Sequence, residues 1–460
     1  MGTAKKTTVI VGAGLTGLSA AWKLASQGRN CLLAEQRSSP GGLAGSLVLD
    51  DIIFDLGPHF IFPDKHSPGG RLLGELLSEG EIISREFRYA IVTEKHHFKM
   101  PIKGNILIYP FKYKKQIITN ILLGGKSPAP PRSLRSFIES KFGTAYYDEV
   151  FAGMVRKKTG RDGRELHVDW YIRPDRDWQN NRQRLPPSAS KIKRILEPLK
   201  TFFSTNHYCY PKEGFGVLAD RLLKRYQDAG GKILFNCNDI ELVCSEDRII
   251  SCRLNETEVP VQEIIWTGTA DKIQALLPDK QEDEKNELQQ IDTLILLLTF
   301  NGKRLLPCPY SYTYHPAPNI IFSRAYSPEN IFQEMSPVDR EGLCLEINDF
   351  NWHGKRIKDM REEEILQHAL DNVEQSGFFK KNSLRQSKLI RLKNSLPVYG
   401  LDYEEQLTAR NRSREKFKNL YAVGRSGGAF FCMSPGAVSQ GLKTAEHILS
   451  AKKYSCSDIK

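Results

Sequence analysis

The residues best suited to chemistry stand near the start of the chain. Gly12-Ala13-Gly14-Leu15-Thr16-Gly17 lies between a β-branched apolar run, Thr7 to Val11, and a stretch with helical apolar spacing, Leu15 to Ala25. A strand that turns through such a loop into a helix forms an anion site. Gly12 permits the tight turn, Gly14 lets backbone approach a pyrophosphate, and Gly17 lets the helix lie close to the strand. The helix N-terminus then offers unpaired N–H groups and a partial positive charge to a diphosphate. Glu35 closes the next apolar run, Asn30 to Ala34, where a carboxylate can accept both hydroxyls of a ribose. That carboxylate would repel a 2′-phosphate, which leaves FAD or NAD. A second glycine loop, Pro40-Gly41-Gly42-Leu43-Ala44-Gly45, follows Glu35-Gln36-Arg37 and can pass along a pyrophosphate and ribityl chain, so FAD is expected.

Elements must hold these loops in place, and the chain is long enough to supply them. At 460 residues it exceeds one ordinary core, so two domains are expected. Its 40% hydrophobic and 26% charged residues suit a globular protein. No apolar run is long enough to span a bilayer, which leaves only peripheral membrane contact open. The best candidate, Ile106 to Gly125, is broken by Pro110 and by Lys112, Lys114 and Lys115. Lys5 and Lys6 precede an apolar stretch, but that stretch carries the phosphate-loop glycines and no cleavage site, so a cytoplasmic protein is expected. Nine dispersed cysteines without CxxC or Cys/His spacing read as reduced thiols, and no metal site is expected. The net charge of +12 is spread along the chain, with a modest cluster at Lys191, Lys193, Arg194 and Lys200. Nucleic-acid binding is therefore not expected, whereas an anionic cofactor or substrate would answer part of the excess.

Strand patterns recur at Ser46 to Phe54, Phe60 to Phe62, Lys232 to Phe235, Ile240 to Val243, Ile249 to Arg253, Val259 to Thr267, Ile291 to Phe300, Asn319 to Phe322, Leu343 to Ile347 and Asn419 to Val423. Residues 68–208 read as mainly helical, as do Gly216 to Gly230, Met360 to Gln375 and Gly436 to Ser450. The expected class is α/β, with a discontinuous Rossmann-like FAD-binding domain (1–80, 209–285 and 386–455) and an inserted α+β substrate domain (81–208 and 286–385), before a short tail, 456–460.

The residues quoted so far resemble those of the FAD-dependent amine oxidase superclass, which includes protoporphyrinogen oxidases, phytoene desaturases and UDP-galactopyranose mutases. Gly12, Gly14, Gly17, Glu35, Arg37, Gly41 and Gly42 match its N-terminal signature, and the resemblance implies that Arg37 also contacts the ADP half. Phe54 to Phe62 is similar to a turn that lies beside the flavin ring in the family, here Gly57-Pro58-His59, with His59 able to hydrogen-bond near the reactive edge or to titrate near neutral pH. The segment Tyr210 to Gly216 resembles the family's return into the cofactor domain, and Ile240 matches a position whose backbone meets the adenine. Leu420 to Arg425, with Gly424 and Arg425, then Met433 to Gly441, match the closing signature. There Gly436, Ala437 and Val438 would open a helix aimed at the flavin's pyrimidine end.

Substrate-facing residues are expected at Arg173, in Asp169 to Arg176, and at Arg324, on a strand through Ile320 to Tyr326. Both arginines are of a type that clamps phosphate or carboxylate, and a structural salt bridge is the competing reading. Tyr399, in Leu396 to Leu401, is expected as a cavity wall, with core packing as the alternative. Three functions compete: an FAD oxidoreductase that takes a hydride from a small molecule, in polysaccharide or secondary-metabolite biosynthesis; a non-redox sugar-nucleotide mutase; and a flavin-binding subunit without catalysis. Gly57-Pro58-His59 and the basic charge favour the mutase. The absence of an arginine in Ala429 to Cys432, where mutases carry a diphosphate clamp, favours the oxidoreductase.

Overall fold

A computed structural model describes residues 6–62, 67–100, 109–122, 131–172, 207–278, 288–305 and 308–450. The strand β1 (Thr7–Val11) is buried along its whole length, and it leads through the first glycine loop into the helix α1 (Leu15–Ser26) and then β2 (Cys31–Ala34). β1 lies parallel to β2, which lies parallel to Lys232–Leu234. On its other side β1 pairs in parallel with the latter part of Thr257–Trp266, which pairs in parallel with Leu420–Ala422. The first residues of Thr257–Trp266 join an antiparallel meander with Arg248–Leu254 and Ile240–Ser245. Parallel strands covered on both faces need continuous apolar runs, which Thr7–Val11 and Cys31–Ala34 provide.

The closing helix, α2 (Ser434–Ser450), packs directly on α1. Gly441 makes that approach possible: a Cβ there would sit 2.2 Å from both the Thr16 carbonyl oxygen and Ser19 Oγ. The Ser19 hydroxyl in turn donates to the Val438 carbonyl at 3.2 Å. The two ends of the described chain therefore meet beside the first glycine loop.

A second sheet runs in the order Leu384–Pro397, Gln290–Asn301, Arg340–Asn348, Arg324–Tyr326, Tyr312–Tyr314, Tyr89–Val92, His97–Met100. All its pairings are antiparallel except that of Tyr312–Tyr314 with Tyr89–Val92. Glu362–Gln375 covers an apolar face of this sheet, and an aromatic cluster of Phe98, Tyr109, Tyr113 and Tyr146 anchors the helices Phe111–Leu122 and Leu134–Phe142 beside its end.

Three sequence readings need correction. Residues 68–208 are not uniformly helical: Ile82–Glu86 pairs with His207–Pro211, and Tyr89–Val92 and His97–Met100 extend the second sheet, so distant partners override local pattern. Phe60 to Phe62 forms no strand, only a single bridge from Ile61 to Cys209. Asn319 to Phe322 is a turn whose Ile321 N–H donates to the Asn372 side chain, and the strand starts at Arg324. Leu384–Pro397 pairs with Gln290–Asn301, so a single strand runs across residue 386.

Candidate functional site

One cavity of about 1170 Å³ runs from the glycine loop of β1 to the second sheet. Ligand sites commonly measure about 300–1,000 Å³, so this one accommodates a dinucleotide with room for a second molecule. Gly12, Gly14, Leu15 and Thr16 line its near end. Gly12 has φ +101°, and a Cβ there would strike Thr267 Oγ1 at 2.4 Å. Gly17 does not face the cavity; it lies so close to the turn that its Cβ would meet the Gly12 oxygen at 1.9 Å. Gly14 differs from both, because a Cβ there would meet no protein atom within 4 Å and would project into open space at the N-terminus of α1. That is the cradle expected of a pyrophosphate site.

The second glycine loop is stacked on the first. Gly41 N–H donates to the Ala13 carbonyl at 2.8 Å, and a Cβ on Gly42 would come within 3.3 Å of Gly14 Cα. Glu35 sits at the cavity edge with both oxygens oriented by backbone: Oε2 accepts from Ala13 N–H at 2.7 Å and Oε1 from Arg37 N–H at 2.9 Å. Gln36, Arg37, Gly41, Gly42, Leu43 and Ile240 line the same end, and Arg37 Nη1 donates to the Gly42 carbonyl at 3.1 Å. Gly424, Arg425, Gly436 and Ala437 line the cavity from the C-terminal side. Val438 does not; its side chain is fully buried beneath α1.

At the far end, Pro58 and His59 line the wall, while Gly57 (φ +98°) stands behind them within 3.6 Å of Glu346 Oε2, measured to an added Cβ. His59 Nε2 lies 2.9 Å from the Leu43 carbonyl, which can only accept, so Nε2 carries the proton and Nδ1 is left as an acceptor. The ring stacks on Phe215 at 5.0 Å. Burial, reinforced by the Arg324 charge, pushes the imidazole down to about 4. His59 is thus neutral at neutral pH, and the expected titration near pH 7 is corrected.

Arg324 reaches the cavity as expected, but never as a lone clamp. Its Nε donates to Glu346 Oε2 at 2.9 Å with Nη2 on the same oxygen, and Lys158 approaches Glu346 Oε1 at 3.4 Å. Burial opposes the Glu346 charge, yet Arg324 and Lys158 overcome it and hold the carboxyl at about 2. Tyr314 lies under Lys158 and Arg324, with ring centroids 5.1 and 5.8 Å from the cationic centres. Burial raises its phenol, but those two charges outweigh burial, so the net direction is downward. Lys157, the neighbour of Lys158, is turned away and donates to the carbonyls of His315, Ile320 and Phe322, which pins the connection between Tyr312–Tyr314 and Arg324–Tyr326. Sequence reasoning missed Lys158, Glu346 and Tyr314. The available signal was Glu346 itself, a lone acid inside the apolar run Leu343 to Ile347.

Tyr399 is the clearest correction. It is fully buried and lines no part of the cavity. Its hydroxyl donates to the Ala429 carbonyl at 2.9 Å and accepts from Phe431 N–H at 2.8 Å, so it shapes the loop after Gly424 from behind. Arg173 lies outside the described residues. Arg425 packs against the Phe431 ring at 4.8 Å, and its buried Nε finds no hydrogen-bond partner among the described residues.

Among the residues lining the cavity, eight lysines and arginines face only two carboxylates, Glu35 and Glu346. A dinucleotide's diphosphate would balance part of that excess, and the opened Gly14 position, the paired glycine loops and the oriented Glu35 all fit such a group.

Comparison with known proteins gives the same answer. The structure is similar to reduced UDP-galactopyranose mutase (TM-score 0.76, 16% identity, covering 98% of this chain and 96% of that one). It is also similar to an Exiguobacterium sp. protein assigned as a protoporphyrinogen oxidase (TM-score 0.72, 16% identity, 98% and 100% covered). In sequence, 81 residues are 36% identical to 4,4'-diapophytoene desaturase of Staphylococcus aureus, a match spanning 17% of this chain and only 16% of that relative. Residues 15–449 match the flavin-containing amine oxidoreductases, which covers most of the chain. The chain belongs to the flavin-containing amine oxidoreductase family, and its cofactor is FAD.

Proposed function

We propose that FAD lies along the cavity from the glycine loops to α2, and that the chain oxidises an anionic small molecule held at the second sheet. The observation that carries this reading is the cation excess at both ends of one continuous cavity. When bound, FAD supplies reversible two-electron acceptance. The chain's own residues supply the rest. Gly14 and the first turn of α1 receive the diphosphate, Glu35 accepts from the ribose, and the start of α2 offers N–H groups to the far end of the cofactor. Arg324 and Lys158, locked on Glu346, present fixed positive charge to an acidic group of the substrate. His59, on the cavity wall, keeps Nδ1 as a hydrogen-bond acceptor, and Phe60, Phe87, Tyr89 and Tyr312 exclude water from the reacting end.

In this reading the Rossmann-like cofactor unit comprises the first sheet with its helices, and the second sheet with the helices beside it forms the inserted substrate unit. Leu384–Pro397 is assigned to the latter. A nucleotide-linked substrate is the second reading, favoured by cations at Arg391, Lys393 and Arg425 beyond those a single diphosphate would engage. Anaerobic mixing decides between the two. Loss of the yellow colour with a small organic acid, restored by an acceptor, supports the oxidoreductase. Isomerisation of a nucleotide sugar by pre-reduced protein without net electron transfer would replace it with the mutase.

A further inference from the structure

The stretch from Lys95 to Ile138 contains nine lysines and arginines and neither aspartate nor glutamate, a local excess that corrects the reading of the basic charge as evenly spread. Within it stands the helix Phe111–Leu122. Tyr113 and Ile117 face inward and are fully buried against Phe98, Tyr109 and Tyr146. The opposite face is unusual: Phe111 is 78% exposed and Ile118, two turns later, is 41% exposed. Lys112 and Lys115 are exposed between them, and Lys112 shares Glu149 at 2.8 Å. Lys99 joins the same region, since the Tyr109 hydroxyl donates to its carbonyl at 2.7 Å while its side chain stays exposed.

An aromatic ring left in water forfeits what burial would return, and an isolated one needs no explanation. Here the exposed ring repeats at helical spacing with a second apolar side chain and is flanked by ammonium groups. That combination suits a helix lying in a lipid interface, with apolar side chains in the acyl boundary and lysines on acidic headgroups. A nucleic acid would use the lysines but leave Phe111 and Ile118 without a role. We propose that the helix Phe111–Leu122 docks the protein on the surface of an anionic bilayer, with Phe111 and Ile118 entering the lipid.

Flotation of the flavin-loaded full chain with vesicles of phosphatidylcholine and phosphatidylglycerol in equal parts tests this. Binding is expected there, with much less on pure phosphatidylcholine and progressive loss as salt rises. Lys99→Gln with Lys115→Gln should weaken it roughly 25-fold, about fivefold per charge. Phe111→Ser with Ile118→Ser should weaken it about tenfold at every salt concentration, because the lost term is apolar. Flavin content and melting temperature of each variant report whether it folds. No binding of the parent chain to the acidic vesicles overturns the proposal. So does unchanged binding of the folded Phe111→Ser/Ile118→Ser variant, or tighter association with duplex DNA than with vesicles.

Discussion

Gly14 and Gly17 belong to one motif yet answer to different masters. At Gly14 an added side chain touches no protein atom, so Gly14→Val should melt at nearly the temperature of the apo parent while failing to retain flavin. At Gly17 even a methyl group would collide with the Gly12 carbonyl, and Gly17→Ala should cost about 1–3 kcal/mol of stability with or without cofactor. Absorbance at the flavin band beside thermal melts separates the two, and a fully flavinated Gly14→Val protein would remove the diphosphate from that position.

His59 permits a pH test at the same scale. Its folded pKa of about 4 lies below the ordinary 6.5, so the unfolded chain takes the proton first as pH falls. The stability it contributes is intact above 6.5 and lost progressively on the way down to 4. Asp55 works in the opposite sense. Burial, opposed by donors from Ser46, Tyr210 and Phe215, raises its carboxyl to about 6 from 3.8, so its contribution is lost as pH rises through that window. Comparing the apo protein with His59→Gln at each pH cancels Asp55. The advantage of histidine over glutamine should shrink by on the order of 2 kcal/mol across the window. A pH-independent difference in urea midpoints would show that the imidazole titrates normally.

Between elements, α1 and α2 approach closely at Gly441. Replacing Gly441 by leucine forces the helices apart at the level of Thr16 and Ser19, and should lower stability by about 3 kcal/mol or more. Because Gln440 Oε1 accepts from Gly424 N–H at 2.9 Å, the displaced helix should also disturb the loop that carries Arg425 and weaken flavin retention. Titration of apo Gly441→Leu with FAD, read by quenching of flavin fluorescence, checks the second effect; an unchanged Kd would confine the damage to packing.

At this scale the sequence was informative where a local rule operates. The turn, helix and acidic terminus from Thr7 to Glu35 follow from glycine sterics and apolar periodicity over a short span. So does the closing helix from Ser434 to Ser450. Elements that owe their form to distant partners were not readable. Ile82–Glu86 becomes a strand because His207–Pro211 lies beside it, and Tyr89–Val92 because Tyr312–Tyr314 does. The Arg324–Glu346–Lys158 cluster likewise draws on three separated segments, and nothing in the spacing of 158, 324 and 346 links them. Tyr399 shows the converse. Its motif was visible, but only packing reveals that the ring faces the loop behind the cavity.

For the molecule as a whole, a cavity lined by eight cations and two carboxylates should be destabilised by self-repulsion without its cofactor. Adding FAD to apo protein at about a hundredfold excess over Kd should stabilise it by about 2.7 kcal/mol, visible as a rise in melting temperature. The gap between apo and loaded protein should narrow at high salt, where the repulsion is screened. A melting temperature indifferent to FAD would mean that the cavity holds something else.

The central sheet imposes a further condition on how such a chain comes into being. β1 and β2 are made first, yet β1's neighbour on one side is Thr257–Trp266, and the outer partner of that strand is Leu420–Ala422. During synthesis the phosphate loop therefore waits, its helix without α2 against it, until the chain has emerged through Ser450. Contacts so remote along the chain slow folding and leave apolar strand edges open to aggregation in the interval. Nascent chains halted before Leu420 should be digested readily by protease and retain no flavin, whereas those completed through Ser450 should gain resistance and colour in a single step.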